Sequence, residues 1–122
     1  MKILLIHAKS SMQKAGHAQI PLGIFYIASY ILKKSKHAIK IFDESVESEN
    51  LDKITKKFKP DIIGISFTAL SAKSAYRITK KYRGKAILVA GGPYATFCAN
   101  EVLSNGFNFV VYGEGEKTFF QL

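Results

Sequence analysis

The sequence predicts an α/β fold, a five-stranded parallel sheet with helices on both faces, and three observations carry that expectation. Short apolar runs alternate with amphipathic stretches, and the period of the alternation is regular. The first run, KILLIHA at 2–8, is continuously apolar, the pattern of a strand buried on both faces. Strands separated by helices return through right-handed crossovers, so they lie parallel in one sheet. At 122 residues the chain is long enough for one core and too short for two domains with a cleft between them.

The elements follow in order. After a polar loop from Ser10 to Gln19, PLGIFYIASYILKK opens with Pro21, suited to a first helical turn, and repeats apolar residues at helical spacing. HAIKIFD (37–43) reads as the second strand. In SENLDKITKKFK, Ser48 is placed to cap a helix whose Leu51, Ile54 and Phe58 share a face, and Lys59-Pro60 stops it. DIIGISF (61–67) is the third strand, SAKSAYRITKKY (71–82) the third helix and KAILVAG (85–91) the fourth strand. TFCANEVLSNG (96–106) reads as a helix closed by Asn105-Gly106, FNFVVYG (107–113) as the fifth strand and EGEKTFFQL as the start of a last helix. Five strands suit the doubly wound, flavodoxin-like order 2-1-3-4-5, in which ligands sit outside the carboxyl ends of the strands.

Composition narrows the function. One cysteine, Cys98, permits no internal disulfide and no multi-cysteine metal cage, and reads as a small buried apolar residue in a reducing compartment. The apolar run at the N-terminus breaks at His7, too short for a signal or membrane-spanning segment, so a cytoplasmic location is expected, with no membrane partner. The net charge of +9 raises the possibility of a nucleic-acid partner. Its lysines cluster at predicted helix ends, Lys33, Lys34 and Lys36, then Lys56, Lys57 and Lys59, then Lys80, Lys81 and Arg83, where cations meet the negative end of the helix dipole. Without a basic stripe interleaved with aromatics, nucleic acid is not the expected partner.

Function is therefore sought at the strand ends. A phosphoryl-accepting regulator needs a carboxylate ending the third strand, but Asp61 begins it and Ser66 ends it. A flavin phosphate needs hydroxyls and glycines directly after the first strand, where HAKSSMQKAG offers Ser10 and Ser11 and only a distant Gly16. GEGEKT lacks the third glycine of a dinucleotide fingerprint and follows the last strand. What remains is a low wall of small and hydroxyl residues: Ser66, Thr68 and Ser71 after the third strand, and Gly91, Gly92, Pro93 and Thr96 after the fourth. A planar or heterocyclic group can pass where two side chains are missing, although a tight strand-to-helix turn requiring positive φ also explains a glycine there.

PLGIFYIASYIL, PDIIGISFT, VAGGPYAT and EVLSNGFNFVVYGEGEKTFFQL, in that order and spacing, resemble the N-terminal cobalamin-binding domain of cobalamin-dependent radical S-adenosylmethionine enzymes. The resemblance covers nearly the whole chain. It implies a corrin over the carboxyl ends of the strands and a nucleotide tail in a slot beside the third and fourth. Ser66 and Thr68 then line the tail, Gly91 and Gly92 let it pass, Pro93 and Tyr94 lie near the corrin edge, and Gly113 and Glu114 face the ligand or a neighbouring domain. Glu114 and Glu116 equally suit the N-terminus of the last helix. The threonine at 68 departs from the serine, any residue, leucine pattern of the histidine-ligated cobalamin domains. Their cobalt-binding motif of aspartate, any, histidine, two residues, glycine is also missing after the first strand, so no protein metal ligand is assigned; of the three histidines only His17 is placed to approach one.

The same resemblance implies that residues 1–122 are one cobalamin-binding-like domain cut before a C-terminal radical S-adenosylmethionine domain. One cysteine cannot hold the [4Fe-4S] cluster such chemistry needs, so the cluster and S-adenosylmethionine belong to that other domain, this chain alone is not expected to be catalytic, and the small-molecule or macromolecular substrate is set elsewhere. Methyl transfer or related radical chemistry is the expected activity of the parent. The alternative is a flavodoxin-like module that binds another nucleotide, or a protein or RNA partner.

Overall fold

A computed structural model describes residues 1–9, 22–44 and 50–111. Five strands, β1 (Lys2–His7), β2 (Ala38–Asp43), β3 (Ile62–Ser66), β4 (Ile87–Gly91) and β5 (Phe109–Val110), form one parallel sheet in the order β2-β1-β3-β4-β5. The doubly wound, flavodoxin-like topology read from the alternating pattern is the one observed. Among the described residues, five α-helices connect the strands: α1 (Leu22–Lys34), α2 (Leu51–Phe58), α3 (Ala72–Tyr82), α4 (Pro93–Phe97) and α5 (Ala99–Ser104).

Strand alternation divides the core. Ile3 and Leu5 of β1, Ile62 of β3 and Val89 of β4 pack on Ile24, Ala28 and Ile31 of α1, whose spacing of four and three puts them on one helical face. Leu4, Ile6, Ile63, Ile65, Leu88 and Ala90 point the other way, onto α2, α3 and α5. There the hydroxyl of Thr79, fully buried, lies within hydrogen-bond distance of the carbonyls of Tyr76 (2.8 Å) and Asn105 (3.1 Å), so it is satisfied and ties α3 to the end of α5.

Two boundaries differ from those the pattern predicts. Asn50, not Ser48, caps α2: its side-chain oxygen accepts from Asp52 N at 2.7 Å, and Ser48 lies outside the described residues. The helix read at 96–106 is two helices, beginning at Pro93 and breaking at Cys98. Gly92 turns the chain at once after β4, so Pro93 can take the first helical position, which needs no N–H. The predicted close at Asn105-Gly106 holds, with Gly106 at φ 109°. Pro21, the loop at 10–19, the end of the fifth run and the last helix lie outside the described residues.

Tyr82, buried at the end of α3, donates to Asp52, which also accepts from Lys81. Lys81 and then Tyr82 hold the Asp52 carboxyl below its ordinary range, while burial, then the carboxylate, push the Tyr82 phenol up to about 12. The carboxylate's contribution is therefore present above its unfolded value of 3.8 and lost as pH falls through the lower folded value. At the other end, the unfolded chain ionises Tyr82 from pH 10 while the folded chain resists to about 12, so stability falls across that window. Tyr82→Phe is expected to flatten that alkaline fall in thermal melts; an unchanged slope would remove Tyr82 as its source.

Candidate functional site

The register fixes which strand-end residues are neighbours. Asp43, His7, Ser66 and Gly91 stand side by side across β2, β1, β3 and β4. One step down on the same face, Leu5, Gly64 and Val89 form the next row. Both rows belong to the face that α1 covers, because Leu5 and Val89 pack in that layer. At the carboxyl end of that face β3 therefore presents a glycine and a serine, and β4 a glycine.

The paired glycines do different work. Gly92 has φ 103° and ψ 171°, and a Cβ there would stand 2.6 Å from the carbonyl oxygen of Phe67. That is a turn only glycine makes without strain. A Cβ on Gly91, by contrast, would meet no described atom within 4 Å. The space that a missing side chain leaves open is at Gly91, on the α1 face; the close approach at Gly92 is made by the protein's own backbone.

The serine-rich loop divides in the same way. Thr68 N donates to Ser71 Oγ at 2.9 Å, Ser71 N donates to the Thr68 carbonyl at 3.1 Å and the two hydroxyls are 3.4 Å apart, a capping box that opens the 3-10 turn (Ala69–Ser71) before α3. Thr68 and Ser71 thereby hold the loop. The hydroxyl of half-buried Ser66 makes no hydrogen bond to a described residue and stands beside Gly91.

Pro93 begins α4 directly after the glycines. Tyr94 packs its ring against Phe67 on the α3 side, 6.0 Å between centroids, and donates its hydroxyl to Glu101 at 2.8 Å, which with partial desolvation raises the phenol well above its ordinary range. The structure thus brings Ser66 and Gly91 together on one face, and gathers Thr68, Gly92 and Tyr94 around Phe67 on the other. Gly113, Glu114, Glu116 and His17 lie outside the described residues.

Backbone bonds continue the ladder past the strand ends: Glu44 N to the His7 carbonyl (3.0 Å), Ala8 N to Ser66 (3.1 Å) and Phe67 N to Gly91 (3.3 Å). Glu44 also accepts from Lys9 N and from Arg77, both at 2.8 Å, and ties the ends of β1 and β2 to α3. The rim of the face is rigidly held. Among the described residues, no group of three or more His, Cys, Asp or Glu is placed to hold a metal ion.

Gly64, buried in β3 one step below Ser66 on the same face, is a glycine that strand reading passed over. The signal was present: a glycine inside a buried apolar strand, IIGIS, has no side chain to pack and marks a place where a ligand or the protein's own chain comes close to the backbone.

Comparison with known proteins supplies the family. The chain is 36% identical, over its whole length, to an uncharacterized methyltransferase of Pyrococcus horikoshii, of which it spans 28%. It is 33% identical, over 99% of its length, to the bacteriochlorophyllide d C-12(1)-methyltransferase of Chlorobaculum tepidum, of which it spans 26%. The chain thus covers about a quarter of the length of these relatives. Its backbone matches the cobalamin-dependent S-adenosylmethionine radical enzyme OxsB, solved with aqua-cobalamin and S-adenosylmethionine bound, at a TM-score of 0.80 over 98% of this chain and 18% of that one, with 18% identity. Residues 9–122 match the model of the B12 binding domain, and with the parallel sheet and its strand order already in place, the chain belongs to that family.

Proposed function

We propose that this domain holds cobalamin at the carboxyl ends of its strands, without a histidine ligand to cobalt, as the cofactor-binding module of a methyl-transferring radical S-adenosylmethionine enzyme. The observation that carries the reading is the open space at Gly91 in register with Ser66, above Gly64, on a face whose other residues are packed. A cradle that a Cβ would begin to fill suits a flat heterocycle.

When bound, cobalamin supplies a cobalt centre able to accept and deliver a methyl group. This chain's residues do the holding. Ser66 offers a hydroxyl to a polar edge of the tail, and Gly91 lets the ring system lie against backbone. Phe67 wedges the other face, so that the Thr68 and Gly92 turns keep their shape. Support for the methyl-transfer part comes from the relatives' names, and for the radical part from the backbone match. The [4Fe-4S] cluster, S-adenosylmethionine and the substrate are assigned to a C-terminal catalytic domain, because the one cysteine here cannot supply three thiolates.

Titration with hydroxocobalamin, followed by the visible spectrum and by retention through gel filtration, tests this. Saturable retention is expected, weakened at least ~10-fold by Gly91→Leu, a change of about 1.4 kcal/mol or more, with the melting temperature held. Binding untouched by Gly91→Leu overturns the slot, and retention of FMN in place of cobalamin would promote the other nucleotide module.

A further inference from the structure

The topology collects the chain's positive charge on one edge. In a parallel sheet with returning helices, the C-termini of α1, α2 and α3 all lie at the amino ends of the strands. Hydrogen bonds fix the junctions: Ala38 N to the Met1 carbonyl, Asp61 N to the Lys2 carbonyl and Ile87 N to the Asp61 carbonyl, at 2.8 to 3.1 Å. The helix ends bring Lys33, Lys34 and Lys36 from α1, all exposed. From α2 come Lys56, Lys57 and Lys59, and from α3 Lys80, Lys81 and Arg83, again exposed. Lys2 and Lys85 at strand starts raise the tally to eleven of the chain's 18 Lys and Arg, beside the terminal amine.

Helix-dipole compensation is too small to account for this. Three helix C-termini carry only about 1.5 negative charges between them. Asp61 and Asp52 add two carboxylates, and seven of the nine acidic residues belong to other parts of the sequence. Among the described residues an excess of roughly eight positive charges remains on one edge.

We propose that this edge, opposite the strand ends of the cobalamin slot, docks the sugar-phosphate backbone of a nucleic acid without reading its bases. The helices meet the edge end-on, so none lies flat with an apolar face against it as an interfacial membrane helix does. The exposed phenylalanines, Phe25, Phe97 and Phe109, belong to the start of α1, to α4 and to β5, and the half-buried Tyr30 has the Lys34 ammonium over its ring, so base stacking is not part of the proposed surface.

Anisotropy of a labelled single-stranded RNA of mixed sequence tests the proposal. With four phosphates engaged, at ~0.7 per phosphate in the salt exponent, affinity is expected to fall roughly 50-fold between about 50 and 200 mM salt. The triple reversal Lys33→Glu, Lys57→Glu, Lys80→Glu is expected to weaken binding at least ~10-fold more than Lys53→Glu, Lys40→Glu, Lys73→Glu, which changes the net charge equally. Thermal melts and the corresponding glutamine triples separate this from unfolding, and hydroxocobalamin retention is expected to be the same in both triples. Equal weakening by the two triples, no binding at low salt, or tighter binding to anionic lipid vesicles than to RNA would each overturn the proposal.

Discussion

Phe67→Ala is expected to lower folding stability by roughly 3–5 kcal/mol, a large part of the ~5–15 kcal/mol that holds a typical domain. Phe67 is 1% exposed and belongs to the α3-side core. Its ring stacks on Phe107 (5.6 Å, 17°), meets Tyr76 edge-on (5.9 Å, 71°) and lies tilted against Tyr94 (6.0 Å), so it joins α3, α4 and the segment before β5. Such pairs add about 0.5–1.5 kcal/mol beyond the buried area. The same residue donates its N–H to the Gly91 carbonyl and places its own carbonyl under Gly92. Loss of the ring therefore loosens the frame of both turns at the site. Urea unfolding measures the effect. A loss below about 1.5 kcal/mol would show that the neighbouring rings close over the gap, and Phe67 would not be the wedge.

The layered fold was legible because its determinants are local and repeated. KILLIHA and DIIGISF are apolar beyond what a half-exposed strand needs, and the helices between them carry their buried positions three and four apart. The break at Cys98 was not legible, since that residue is neither glycine nor proline and the hydrophobic spacing runs through it: Ala95 and Val102, seven apart, are both fully buried. The site was half legible. GGP marks a turn and a gap together, and only the backbone direction at each position separates the two. Gly64 was hidden by its own strand, because period-two patterning counts a small residue as merely permissive, while the register sets it between Leu5 and Val89 under the Ser66 row. The convergence of three basic helix ends was a matter of topology, not of any one segment. Read along the chain, each looks like an ordinary capped terminus.

Gly92→Ala is expected to cost roughly 3 kcal/mol or more, whereas Gly91→Ala stays within about 1 kcal/mol of the parent. At 92 the added methyl meets a backbone carbonyl oxygen 2.6 Å away, and φ 103° with ψ 171° is a region side-chain-bearing residues avoid. Neither the Phe67 carbonyl nor the turn can yield without displacing the aromatic cluster beneath. At 91 the backbone is ordinary strand and the methyl enters open space, so the loss of unfolded-chain freedom offsets what little the change costs. Denaturation midpoints of the two variants read the difference directly. Equal effects would mean that the open space at Gly91 is closed in solution, and the slot would go with it. The expected split has a practical consequence for the cofactor experiment: a bulky residue at 92 that abolishes cobalamin retention reports on the turn, and only a bulky residue at 91, on a domain that still melts like the parent, reports on the slot.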